Sequence, residues 1–356
     1  MITLLFGVTF IHLLVTLVMT WKINSWKSKA SPSRPSVSII VAARNELQHL
    51  KILIPQLLDQ EYPEFEIIVA LDRCTDGSLA FLQSVNDKQL RWVVVDEVPS
   101  DWNSKKYALN QAIKQSSSEW LLFTDADCIP NSGEWVLHMA RETSENTNVL
   151  IGVSPYFTKG SFLGHFNQFE AFMTYFLYTA FHLLGRPYMA VGRNLGIRRS
   201  YFTAVGGYEK IKGIRGGDDD LFIQNADRSS MALVLGNASL VYTYPAKNLG
   251  TYLRQKLRHF SVGNHYASKD LLLLSLYHGT HLCTLLLTLS FYQSSFLLAI
   301  LLFYLFIKLV SYSFVARKIG AGFNYILFPI VDVLYAFMIP FVSIWSKLVK
   351  DIEWRN

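Results

Sequence analysis

The chain has 356 residues, of which 51% are apolar, 14% aromatic and only 17% charged. An ordinary soluble domain carries charge on about a quarter of its residues, so this composition excludes a wholly soluble protein. The net charge of +6 does not imply a nucleic-acid partner, because cations beside apolar runs suit an anionic membrane surface.

Residues 1–21 open with MITLLFGVTFIHLLVTLVMT, free of formal charge and long enough to cross a bilayer. A signal peptide would show a basic start and a small-residue cleavage site, and neither is visible, which favours an uncleaved anchor. The linker 22–35 carries Lys22, Lys27, Lys29 and Arg34 with no acid, so the positive-inside rule keeps it in the cytoplasm. The middle of the chain is then cytosolic. Cys74, Cys128 and Cys283 stand in unrelated settings and suggest neither a disulfide frame nor a zinc site.

Residues 36–270 read as the cytosolic domain. SVSIIVAA (36–43) is a continuous apolar run of the kind found in buried parallel strands. Apolar Leu47, Leu50, Ile54, Leu57 and Leu58 then recur at helical spacing across 46–60. FEIIVALD (65–72), LRWVVVDE (90–97) and EWLLFTDAD (119–127) are further strands, and KKYALNQAIKQS (105–116) is another helix. Strands alternating with helices on short links predict an α/β fold, a Rossmann-like, mostly parallel doubly wound sheet whose ligands sit at the carboxyl ends of the strands. Asp72, Asp125 and Asp127 all lie at such ends.

Asp125 and Asp127 have a bland reading, as solvated turn acids, and a functional one. In the second, both carboxylates face a divalent cation and, through it, a diphosphate. GGDDDL (216–221) is a second acidic cluster, where crowding raises carboxylate pKa values and suits one of them to act as a base. Residues 161–189 are dense in Phe and Tyr but interrupted by His165, Glu170 and Arg186. They read as an interfacial helix, with an ordinary core helix as the rival. Membrane segments close the chain over 271–346, as apolar blocks at 271–292, 294–310 and 325–345, followed by a basic tail, 347–356. The first two blocks form a hairpin returning at Lys308, Arg317 and Lys318. A third full crossing puts Lys347, Lys350 and Arg355 outside, against the charge rule, and Pro329, Asp332 and Pro340 sit inside that block. A full span and a re-entrant or surface-lying segment both remain open; His278 and His281 are given no role.

In order, SVSIIVAARNE, IIVALDRCTDGS, WNSKKYALNQAI, WLLFTDADC, GRNLGIRRSYFTAVGGY, GGDDDLFIQ and RQKLRHFSVG resemble the family 2 glycosyltransferases of the GT-A fold, over roughly 36–265. The resemblance implies a nucleotide-sugar half (36–130) and an acceptor half with interfacial helices (131–270). It places Ala43, Arg44 and Glu46 on a loop approaching the nucleotide. Asp72 would accept from the uracil edge, although the family often has two acids there and this chain has Leu71 before it. Asp76 caps the next helix. By the same resemblance Lys105 or Lys106 would balance the diphosphate, a solvated helix start being the other reading, and Asp127 would bind the metal, Mg2+ or Mn2+, with Asp125 beside it. Asp218 stands where the general base is expected, Gly217 replacing the usual Glu before it, with Asp219 as reserve. Gly192, Arg193 and Asn194 fall on the acceptor side. Gln255 and Arg258 would contact the diphosphate, the other reading of this stretch being a basic amphipathic helix (Arg254, Lys256, Arg258) lying on the membrane. His259, also on the acceptor side, replaces a usual Trp, which argues against processive synthesis.

The resulting expectation is an inverting transferase moving a sugar from a nucleotide-sugar donor, most simply a UDP sugar, to a hydroxyl of a lipid or lipid-linked glycan. The alternatives are a processive polysaccharide synthase and a catalytically silent membrane scaffold. Its partners would be the donor, a lipid or glycan acceptor, the bilayer and other pathway enzymes, with no nucleic acid. Its location would be a bacterial-type inner membrane, catalytic domain cytosolic.

Overall fold

The computed structural model describes residues 2–158, 160–290 and 293–348. Phe291 and Tyr292 of the expected hairpin loop, and the basic tail with Lys350 and Arg355, lie outside them. Along the chain, α1 (Ile2–Ser25) is followed by β1 (Val37–Ala43), α2 (Leu47–Leu58), β2 (Phe65–Asp72), α3 (Ser78–Ser84), β3 (Leu90–Val95) and α4 (Ser104–Gln115). Next come β4 (Trp120–Asp125), β5 (Cys128–Pro130), α5 (Trp135–Ala140), β6 (Val149–Ile151), α6 (Phe162–Leu183), β7 (Leu195–Arg198) and α7 (Arg199–Ala204). The remainder is α8 (Asp220–Asn225), β8 (Met231–Leu233), β9 (Val241–Thr243), α9 (Leu249–Gly263), α10 (Ser268–Leu289), α11 (Ser295–Ile319) and α12 (Phe328–Leu348).

The chain divides into two compact units. One comprises Lys27–Phe157 and Pro187–Tyr244, the other Met1–Trp26, Thr158–Arg186 and Pro245–Asn356. The first is the α/β unit. Its seven-stranded sheet runs in the order β3-β2-β1-β4-β7-β6-β8, with β3, β2, β1 and β4 mutually parallel and β7 antiparallel to both neighbours. Ile39, Ile40, Val41, Ile67, Ile68 and Val69 are fully buried, as a strand covered on both faces requires. Winding proceeds from β1 outward to β2 and β3, then returns to the other side of β1 with β4. The crevice of this doubly wound sheet therefore opens at the carboxyl ends of β1 and β4. Ala42 pairs with Asp125 in the register, so the acidic segment after β4 leaves the sheet at that crevice.

Asn194 is a structural hub of this unit. Its buried carboxamide donates to the carbonyls of Val153 and Ser239, both at 2.8 Å, and accepts from the Trp135 indole at 3.0 Å. Gly152 lies directly beneath it: a Cβ there would sit 2.4 Å from the Asn194 side chain.

In the helical unit, α1, α10, α11 and α12 are long and apolar enough to cross a membrane. The expected second C-terminal block ended at 310, but α11 continues unbroken to Ile319. Lys308 lies in the middle of α11 and not at its end. Its ammonium is buried in the helix interior, 2.7 and 2.8 Å from the two Asp332 oxygens, with His281 Nε2 2.9 Å from the ammonium. Two charges that each look forbidding in an apolar run thus neutralise one another across α11 and α12. α12 itself is continuous through Pro340. The aromatic stretch expected at 161–189 forms α6, where buried Glu170 pairs with Lys256 of α9 at 2.8 Å and accepts from the Tyr252 hydroxyl at 3.0 Å.

Lys308→Met alone should strand the Asp332 charge and lower stability by about 3–5 kcal/mol, whereas Lys308→Met with Asp332→Leu should recover most of the loss. Thermal midpoints of the full chain in detergent check this, and equal midpoints for the single variant and wild type would refute it.

Candidate functional site

Three loops meet at the crevice of the α/β unit. After β1, Ala43 is buried, Arg44 is exposed, and Asn45 takes a left-handed backbone with φ 55°. Asn45 Oδ1 accepts from the Thr75 N–H at 2.8 Å, tying this loop to the one after β2. Asp76 completes the tie by accepting from the Leu47 N–H at 2.8 Å and the Ser78 hydroxyl at 2.6 Å, a capping role for α2 and α3. Glu46 pairs with the His49 ring at 2.5 Å. Asp72 is buried at the end of β2 with its carboxylate held by the Arg73 guanidinium at 2.7 and 3.2 Å.

The third loop carries the acids. Asp125 ends β4, Asp127 follows on the turn, and Cys128 begins β5. One ligand atom from each of these three lies within 4.8 Å of the others. Burial, reinforced by the charges of Asp127 and Asp125, holds the Cys128 thiol well above its ordinary pKa, so it stays protonated and points its S–H at Asp127 Oδ1, 3.7 Å away. What remains is a pair of carboxylates, the donor set that a hard cation such as Mg2+ or Mn2+ takes, and the residues fit one.

Opposite them stands the glycine-led acidic loop. Gly216 and Gly217 both adopt positive φ, 77° and 73°, which turns the chain so that Asp218 is buried against the crevice. Asp219 caps α8 by accepting from the Asp220 N–H and also accepts from the Gly192 N–H at 2.7 Å. A Cβ at Gly192 would sit 3.2 Å from Asp219 Oδ2 and 3.4 Å from Asp218 Oδ2, so that approach depends on glycine.

Lys105 joins the two acidic groups. Its ammonium lies 2.9 Å from Asp125 Oδ1 and 3.0 Å from Asp218 Oδ2. Burial works against its charge, yet Asp125, Asp218 and Asp219 together hold its pKa well above that of a free lysine. Burial likewise pushes Asp218 up, but Lys105 outweighs it, with Lys106 in support, and Asp218 ends below the usual carboxylate range. Asp219 goes the other way, raised by burial and by its neighbour Asp218. Between Lys105, Phe123, Asp125, Gly192, Tyr208 and Asp218 lies a recess of only about 10 Å3, room for about one water.

The structure thus brings Lys105, Asp125, Asp218 and Asp219 together. Asp127 stands beside Asp125 and the Gly192 N–H meets Asp219, while Lys106, Asn194 and Arg193 have other partners. Lys106 turns away from the acids and donates to the carbonyls of Ile214 and Gly216, fixing the acidic loop, and burial lowers its pKa to about 8. Asn194 faces the interior, as described, its carboxamide used by backbone partners and the Trp135 indole. Arg193 donates to the Ser154 hydroxyl at 2.7 Å and lies in the field of Asp125 and Asp127. Gln255, Arg258 and His259 are on α9, in the helical unit. Tyr208, buried and raised in pKa by burial and then by Asp218, was not singled out from the sequence; its signal is the GGY that precedes the acidic run.

Residues 38–206 match the family model described as glycosyl transferase family 2. Over 229 residues the chain is 24% identical to glycosyltransferase AglE of Haloferax volcanii, covering 63% of this chain and 71% of that one. It is 27% identical over 96 residues to the putative teichuronic acid biosynthesis glycosyltransferase TuaG of Bacillus subtilis, covering 26% of this chain and 36% of the relative. The match to TuaG therefore spans only about a third of that protein. Among solved structures, the mannosyltransferase PcManGT from Pyrobaculum calidifontis, in complex with GDP-Man and Mn2+, aligns with a TM-score of 0.55 at 14% identity. That alignment covers 97% of this chain and 94% of the other, and at such identity the likeness is one of fold, the GT-A fold.

Because Lys105 is what keeps Asp218 ionised, Lys105→Met should leave carboxylates with raised pKa values in the folded state. Groups raised in the fold bind protons more tightly than in the unfolded chain, so the variant gains stability as pH falls. The deficit in its thermal midpoint relative to wild type should be largest near about pH 7 and narrow toward about pH 5. A pH-independent deficit would contradict this pairing.

Proposed function

We propose, on the premise that residues 38–206 are a family 2 glycosyltransferase domain, that this chain is an inverting enzyme which moves a sugar from a nucleotide-sugar donor, a UDP sugar, to a hydroxyl of a lipid or lipid-linked glycan. The observation that carries the reading is the cation-bridged pairing of two acidic groups, Asp125 on one side of Lys105 and Asp218 on the other. Divalent Mg2+ or Mn2+, held by Asp127 and Asp125, would supply Lewis-acid stabilisation of the leaving diphosphate.

The chain's own residues divide the remaining work. Lys105 adds positive charge where the diphosphate collects negative charge. Asp218 is buried and ionised, and a carboxylate in that state accepts the proton of an acceptor hydroxyl as that oxygen attacks the anomeric carbon from the face opposite the leaving group. One displacement of that kind inverts the anomeric centre. Asp219, fixed by the Gly192 N–H, shapes the loop that presents Asp218. The loop after β1, with Arg44 and Glu46, lies at the same crevice and is assigned to the nucleotide. Asp72 reaches the base only if it exchanges the Arg73 guanidinium for the uracil edge. A lipid or lipid-linked acceptor is favoured because the same chain carries four helices long and apolar enough to cross a membrane. The basic residues after α1 favour the cytosolic side for the catalytic unit.

Calorimetry on the full chain in detergent should show UDP binding that requires Mn2+ and is lost in Asp127→Ala. Binding of UDP that neither Mn2+ nor the substitution affects would overturn the metal assignment, and preference for a different nucleotide would overturn the choice of UDP.

A further inference from the structure

A second recess in the α/β unit lies away from the Lys105 cluster. An open cleft of about 290 Å3 is lined by Gln56 and Asp59 near the end of α2, Asn131 and Ser132 after β5, and the rings of Phe157 and Tyr242. Gln60, also at its wall, is fully engaged: its amide donates to the Gln56 and Ser132 carbonyls and its oxygen accepts from the Val136 N–H. The Gln56 and Asp59 side chains, by contrast, make no hydrogen bond among the described residues. Both line the cleft.

The aromatic wall does not stop at the cleft. Phe157 stacks on Tyr242 with ring centroids 5.1 Å apart and planes 23° apart. Phe157 also meets Tyr244 at 5.1 Å, and Tyr244 meets His49 at 5.7 Å. His49 pairs with Glu46 of the loop after β1. Four rings therefore form a continuous, partly exposed strip from the loop assigned to the nucleotide down to an open polar cleft. A packed core would have covered such rings.

We infer that the cleft and its strip bind a neutral oligosaccharide, the part of a glycan acceptor that extends away from the reacting hydroxyl. The inference rests on the transferase reading and narrows its acceptor from a lipid in general to a glycan of several sugars. The chemistry selects the ligand. A sugar ring has an apolar face of C–H groups, which lies against an aromatic ring, and an edge of hydroxyls, which need a carboxylate or carboxamide as partner. The cleft supplies both within one recess, with Phe157 and Tyr242 beside Gln56 and Asp59. Phosphate-bearing ligands are disfavoured, because the charged group lining the cleft is the Asp59 carboxylate and no lysine or arginine lines it. That sets aside a second nucleotide and a phospholipid headgroup.

The test uses the full chain in detergent, titrated with cellopentaose, chitopentaose and mannopentaose by calorimetry, with UDP and Mn2+ binding measured on the same samples. At least one pentasaccharide should bind, and Tyr242→Ala and Asp59→Ala should each weaken it by about tenfold, the loss of roughly one good contact, while UDP binding stays as in wild type. Phe157→Leu, which keeps apolar bulk but removes the ring, should weaken it similarly if stacking is the contact. Failure of all three sugars to bind while UDP still binds overturns the cleft and leaves the donor reading standing. Sugar binding without UDP binding does the reverse. Sugar binding unchanged by Tyr242→Ala and Asp59→Ala also overturns the proposal. So does a Phe157→Leu variant that keeps its full sugar affinity, which would remove ring stacking as the contact.

Discussion

The α/β unit depends on one cation placed between carboxylates that would otherwise repel. Asp125 and Asp218 are far apart in sequence, and Asp219 adds a third negative charge at the same crevice. At separations of a few ångströms in a partly buried site such charges are costly unless a cation is interposed. Lys105 is that cation, 2.9 Å from one acid and 3.0 Å from the other. Its position is set from behind by α4, whose start is capped by Asn103, and the acidic loop is held at the required distance by the neighbouring Lys106 through backbone carbonyls. Two adjacent lysines thus divide the labour: one neutralises the acids, the other builds the loop that carries them.

This arrangement also gives the proposed reaction an order. A bound diphosphate would compete with the two acids for the Lys105 ammonium, and Asp127 and Asp125 would be the residues to hold its divalent cation. Asp218 would then be released as a hydrogen-bond acceptor when the donor is in place.

Much of this was legible in the sequence, for reasons particular to each element. FEIIVALD became β2 over the same eight residues, because a strand buried on both faces has to be continuously apolar and the charged or turn-forming residues on either side end it. The position of Asp125 and Asp127 at the crevice was readable once the fold class put them at a strand's carboxyl end. The division between Lys105 and Lys106 was not, since both lie at the start of one helix and only the side-chain directions distinguish them. Asn194 illustrates the converse: a polar residue in a motif-like stretch turned out to satisfy Val153, Ser239 and Trp135 inside the core, which only three-dimensional packing reveals. In the helical unit the same physics misled a reading by composition. Lys308 looked like the end of a span because its partner, Asp332, lies on a different helix. Pairing removes the penalty that the hydropathy pattern assigns to each charge alone.

The central claim is that holding the donor and activating the acceptor are separate tasks of separate acids. Asp218→Asn tests it most directly, with UDP affinity in the presence of Mn2+ and transfer of labelled sugar from UDP sugars into the lipid-extractable fraction measured on the same preparation. The account predicts near wild-type UDP affinity with transfer reduced by about a hundredfold or more, the scale of a lost general base. Transfer that persists in the variant, or affinity and transfer that fall together, would contradict it.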